Sequence, residues 1–125
     1  MAYDSMARIL IVNDEEDNLN MFCDMLRLEG YTVDGYTDGN VALSNFKPDL
    51  YDLVILDYLL QGINGLQLYD MLREKDKSVR AVLLTASGEL LEVGNIQDVI
   101  KKPIYPSQLV RKIREILSKS TTMVV

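Results

Sequence analysis

Four stretches of this chain carry side chains that could do chemistry together: NDEED at 13–17, Asp57, Thr85-Ala86-Ser87, and Lys101-Lys102-Pro103. Asp57 poses the sharpest question, because it follows the apolar run LVIL (53–56) and precedes Tyr58-Leu59-Leu60. A carboxylate in such a place must be desolvated, paired or used. Two carboxylates brought close repel, so one protonates or both share a cation. Oxygen ligands without histidine or cysteine suit a hard ion, Mg²⁺ or Mn²⁺. A lysine adds fixed positive charge, and a hydroxyl adds a donor. A carboxylate nucleophile, a hard cation, an ammonium and a hydroxyl are the parts that transfer of a phosphoryl group requires.

These residues need a scaffold that brings them together. Short apolar runs alternate here with stretches of helical period. ILIV (9–12), DLVIL (52–56) and VRAVLLT (79–85) read as buried strands. Residues 31–36, with Gly35 among them, and residues 96–101 are more polar, as strands at a sheet edge are. Leu19, Phe22, Cys23 and Leu26 recur at i, i+3, i+4 and i+7, which predicts an amphipathic helix over 16–29, stopped by Gly30. Ala42, Leu43 and Phe46 give a short helix closed by Pro48. Leu68, Tyr69 and Leu72 mark another after Asn64-Gly65, and residues 88–93 have room for a helix of one or two turns. Pro106 opens a last helix with Leu109, Ile113, Ile116 and Leu117 on its inner face, and the tail from 119 to 125 is expected to fray. The alternation predicts an α/β fold of (βα)5 type, a parallel sheet covered on both faces. In such sheets chemistry gathers at the carboxyl ends of the strands. All four chemical stretches fall there.

Composition bounds the function. The 125 residues suit one domain, and 48% hydrophobic with 26% charged residues is ordinary globular composition. A net charge of −6 argues against a nucleic-acid footprint, which needs a basic face. No apolar run approaches a membrane span. The single cysteine, Cys23, allows no internal disulfide and lies on an apolar helix face. The start reads as no signal peptide, so the cytoplasm is the expected compartment. With no histidine, the chain excludes Ser-His-Asp and Cys-His catalysis and His-based zinc sites of its own.

NDEE after the first strand, LD after the third, TAS after the fourth and KKP after the fifth together resemble the receiver domain of two-component response regulators, over about residues 8–118. The resemblance implies a flavodoxin-like five-stranded parallel sheet in the order 2-1-3-4-5. It implies that Asp57 accepts a phosphoryl group from a sensor histidine kinase or a histidine phosphotransfer protein. Asp14, Asp57 and the Leu59 backbone carbonyl would then ligate Mg²⁺ or Mn²⁺, with Asn13 in an outer or weak role. Thr85 would be the switch hydroxyl, and Ala86 and Lys102 would meet the phosphoryl group. The bond before Pro103 would be cis. Output would pass to a downstream protein, with no direct nucleic-acid or membrane partner, and the resemblance leaves a homodimer open. No attached effector is visible in the chain.

The chain also departs from that pattern. Asn13 stands where the family has an acid, which removes one negative charge and implies weaker Mg²⁺ binding. Gln61-Gly62 replaces the family's Met-Pro. Leu59 and Ser87 hold the positions that gate water in the family. Val99 replaces the switch aromatic. Thr85 and Lys102 are only 17 positions apart, so the helix between the fourth and fifth strands is expected to be shortened. A non-switching interaction module on the same fold is the competing reading. A nucleotide site is disfavoured because NDEED would repel phosphate, and an aspartyl phosphatase because Asp57-Tyr58-Leu59 lacks a second acid. Asp14 either holds the cation or caps the first helix, as Glu15, Glu16 and Asp17 are expected to do. Asp57 is a poor cap, since helical period resumes only after Asn64. The Arg111, Lys112 and Arg114 cluster reads as the wet face of the last helix.

Overall fold

The computed structural model of the chain describes residues 7–86, 96 and 98–121. Its elements are β1 (Arg8–Val12), α1 (Glu16–Leu28), β2 (Thr32–Tyr36), α2 (Gly39–Asn45), β3 (Leu53–Asp57), α3 (Gly65–Lys75), β4 (Ala81–Ala86), β5 (Asp98–Lys102) and α4 (Pro106–Thr121). The five strands are parallel and ordered β2-β1-β3-β4-β5. This is the expected order.

Side-chain alternation along the strands divides the interior into two layers. On one face Ile9, Ile11, Leu53, Ile55, Val82, Leu84 and Ile100 pack against Leu19, Phe22, Cys23 and Leu26 of α1 and Leu109 and Ile113 of α4. On the other, Leu10, Val12, Val54, Leu56 and Leu83 meet Ala42 of α2 and Leu68 and Leu72 of α3. The central strand β3 is buried at every residue, whereas the outer strands β2 and β5 keep exposed positions. Doubly covered strands must be apolar throughout, and strands paired on one side need not be.

The local signals act as their chemistry requires. Asn64 caps α3 in a reciprocal box with Gln67. Asp38 caps α2 through the Asn40 and Val41 N–H groups. Gly30, at φ 102°, follows the end of α1 and donates its N–H to the Arg27 carbonyl. The start of α1 differs from expectation. Glu15 occupies the cap position without a side-chain cap bond, and Asn13 Oδ1 instead accepts the Glu15 N–H at 2.9 Å. Only Glu16 and Asp17 serve the first turn as charges. The last strand begins at Asp98, two residues later than the apolar pattern suggests, although Ile96 is buried. The expected shortened helix between β4 and β5 and the position of Ser87 lie outside the described residues.

At the end of the sheet where the strands begin, Asp76 accepts from the Asp49 N–H, the Ser78 N–H and the Ser78 hydroxyl. Those bonds tie the segment entering β3 to the segment entering β4. Asp34 accepts from the Arg8 guanidinium and the Tyr51 hydroxyl.

Candidate functional site

The parallel register carries the site. Val12 pairs with Leu56 and Asp57 pairs with Leu84, so Asn13 and Asp57 sit side by side one residue beyond a paired rung. Adjacent strands lie about 4.8 Å apart. Thr85 pairs with Lys101 and Ala86 with Lys102, which sets those residues along the same carboxyl edge.

Asp57 is only 3% exposed. Its Oδ1 receives the Lys102 ammonium at 2.7 Å and lies 3.4 Å from the Leu59 N–H. Burial pushes the carboxyl above its ordinary range. The Lys102 bond and charge and the Leu59 N–H pull it back, while the Asp14 charge adds to the upward push. Asp57 is thus a desolvated carboxylate kept in contact with a cation, which answers the question its sequence context raises. Its Oδ2 has no partner among the described residues.

Asp14 is exposed at the entrance to α1. Asn13 is 2% exposed and lines a cavity of about 480 Å³ together with Asn18, Phe22, Leu84, Ala86 and Lys102. Thr85 is 3% exposed, and its hydroxyl donates to the Ala86 carbonyl at 3.4 Å. The Lys102–Pro103 bond is cis. Leu59 stands 57% exposed beside the site, and Val99 lies exposed on the outer strand. Lys101 and Lys102 part as alternation requires, the first into solvent and the second onto Asp57. Among the described residues, no three Asp, Glu, His or Cys side chains cluster as a metal nest would.

Two contributors were not evident from residue type alone. Asn18 reaches the cavity because it lies four residues before Phe22 on the same face of α1, a spacing visible in the sequence. Gly65 opens α3 with its N–H donated to the Tyr58 carbonyl at 2.8 Å, and a Cβ there would lie 2.5 Å from the Asp57 carbonyl oxygen. Only that close approach explains the glycine.

The pattern over residues 9–114 matches the response regulator receiver domain. The chain belongs to the response regulator receiver family. Members of this family are phosphoacceptors, switched by phosphorylation of an aspartate, and they generally bind Mg²⁺. This receiver is 35% identical over 118 residues to the DNA-binding response regulator MtrA of Mycolicibacterium paratuberculosis, covering 90% of this chain and 52% of that protein. It is 38% identical to the response regulator ArlR of Staphylococcus epidermidis, covering 91% and 54%. The receiver therefore spans about half the length of these relatives. Among solved structures, it resembles the non-phosphorylated HemR receiver domain of Leptospira biflexa at TM-score 0.81 and 27% identity, covering 90% of this chain and 95% of that one. A CheY-like receiver from Methanospirillum hungatei gives TM-score 0.79 and 25% identity, covering 94% and 98%. No helix among the described residues is long and apolar enough to cross a membrane.

Proposed function

We propose that Asp57 is the phosphoacceptor of this receiver, fed by a phosphohistidine on a sensor kinase or phosphotransfer protein. The buried contact between Asp57 Oδ1 and Lys102 Nζ carries the reading. It leaves the second carboxylate oxygen without a partner among the described residues. That oxygen attacks phosphorus, the P–N bond to the imidazole breaks, and the departing nitrogen keeps the electron pair and takes a proton. Lys102 then faces a phosphoryl oxygen as well as the carboxyl. Thr85 and Ala86 close on the group from the end of β4, and the gain of negative charge is what shifts the surface. The unit that does this spans about residues 8–118.

The donor set suits a hard divalent ion. Asp14, Asp57 and the Leu59 carbonyl offer oxygen alone, with no histidine or cysteine beside them. Bound there, Mg²⁺ or Mn²⁺ would neutralise charge developing on the phosphoryl oxygens. Asn13 already spends a lone pair on the Glu15 N–H and carries no charge, so it adds little to such a site. Asn13→Asp is expected to tighten Mg²⁺ binding by roughly tenfold, the worth of one added charge contact. Calorimetric titration of both proteins checks this, and equal affinities refute it.

The decisive experiment is mass spectrometry after incubation with Mg²⁺ and phosphoramidate. An adduct on Asp57 that Asp57→Asn abolishes is expected. An intact protein without adduct would favour the competing reading, a receiver that binds partners without being phosphorylated. Asn13 and Val99 are the residues that favour that alternative.

A further inference from the structure

Asn13 is a buried amide with one end committed. The Glu15 N–H at 2.9 Å identifies that end as the carbonyl oxygen, since only an oxygen can accept there. The Nδ2 group has no partner among the described residues, although Asn13 is 2% exposed. A buried amide N–H that faces a cavity is satisfied by whatever occupies that cavity, water or a ligand, so Nδ2 is a donor open to an incoming group. The cavity it lines also holds Lys102, the cation already on Asp57, and Asn13 stands next to Asp57 across the sheet.

We propose that Asn13 is a phosphoryl-binding residue, its Nδ2 donating to an oxygen of the group carried by Asp57. The proposal rests on the reading of Asp57 as phosphoacceptor. An acid at this place would repel the incoming phosphoryl oxygens and would have to be neutralised by a cation. The amide attracts them. Lys102 and Asn13 thereby flank the phosphoryl group with two protein donors, one charged and one neutral. The substitution of an amide for an acid lowers the dependence of phosphorylation on Mg²⁺ and does not merely weaken the ion's hold.

Three proteins separate the donor from the missing charge. Asn13→Asp keeps an acceptor for the Glu15 N–H and removes the donor. Asn13→Ala removes the donor and adds no charge. Each is treated with phosphoramidate in Mg²⁺ and in EDTA, and the adduct on Asp57 is followed by mass spectrometry, with circular dichroism confirming the fold. In EDTA the wild type is expected to react about tenfold faster than Asn13→Ala, the worth of one hydrogen bond to a charged acceptor, and faster still than Asn13→Asp. A second readout does not depend on rate. In ¹⁵N-labelled protein the Asn13 side-chain amide signal, assigned by its loss in Asn13→Asp, should move downfield when the adduct forms in EDTA.

An adduct that leaves this signal in place, or equal EDTA rates for wild type and Asn13→Ala, overturns the role of Asn13 while Asp57 remains the phosphoacceptor. Failure of the wild type to form any adduct in Mg²⁺ overturns both.

Discussion

Gly65 offers a direct test of how tightly α3 is set against the strand that carries Asp57. A Cβ on Gly65 would lie 2.5 Å from the Asp57 carbonyl oxygen and 2.8 Å from Leu83 Cδ1. Carbon and carbonyl oxygen ordinarily approach to about 3.3 Å, so the helix start must retreat by nearly an ångström in Gly65→Ala. Leu83 is fully buried and cannot swing aside. Overpacking of this kind costs about 3 kcal/mol at the upper end, and the smaller backbone entropy of alanine returns about 1 kcal/mol at most. The net loss is about 2 kcal/mol. At the usual unfolding entropy per residue, that lowers Tm by roughly 8 °C in a chain of this length. Gly39 is the control, because a Cβ there would lie 3.4 Å from Ile63 and Leu68 carbons, an ordinary contact. Gly39→Ala should be neutral or slightly stabilising. Urea unfolding of both variants is the assay. Gly65→Ala within about 0.5 kcal/mol of wild type, or a Gly39→Ala as damaging, would refute the reasoning. A retreat of α3 also strains the Gly65–Tyr58 hydrogen bond, so phosphoramidate labelling of Asp57 should slow in Gly65→Ala.

Two further tests bear on charge. Lys102→Gln removes the cation 2.7 Å from Asp57 and leaves a buried carboxyl whose burial already raises its pKa. Labelling of Asp57 at neutral pH is expected to fall at least tenfold, roughly the worth of a charged hydrogen bond, and an unchanged rate contradicts the role given to Lys102. Asp76 is held below the ordinary carboxyl range, chiefly by the Ser78 hydroxyl and then by the Asp49 N–H. A depressed folded pKa gives stability that is present above the unfolded value near pH 4 and is lost as pH falls through the folded value. Asp76→Asn should therefore be less stable than wild type at pH 7, with the gap shrinking as pH drops below about 4. Urea midpoints that differ equally at pH 7 and pH 3 would rule this out.

Most of the frame was legible in the sequence because it rests on periodicity. Strands covered on both faces must be apolar at every position, and ILIV, LVIL and VLL are. The edge strands were legible by their mixture, as with Gly35 and Lys101. The strand order was carried by the family resemblance, not by the residues themselves. Strand ends were less legible. The last strand starts at Asp98 because ladder pairing with Val82 decides it, and no apolar count senses that partner. At the site, residue types singled out Asp57 and Lys102, and proline spacing chose Lys102 over Lys101. The acids of the first turn were read correctly in Glu16 and Asp17, but Glu15 makes no side-chain cap bond, and Asn13, a strand-end residue, reaches forward to the Glu15 N–H instead. Six consecutive polar residues, Asn13 to Asn18, compete there for the same orphan donors, and only the turn geometry selects one.

The anion and the cation of the site hang from strands of unequal rank. Asp57 ends β3, which is clamped between two neighbours, whereas Lys102 ends β5, which among the described residues pairs with β4 alone. Parting them therefore demands no disturbance of the middle of the sheet. A displacement of the outermost strand would carry the ammonium away from the carboxylate before it disturbed β3.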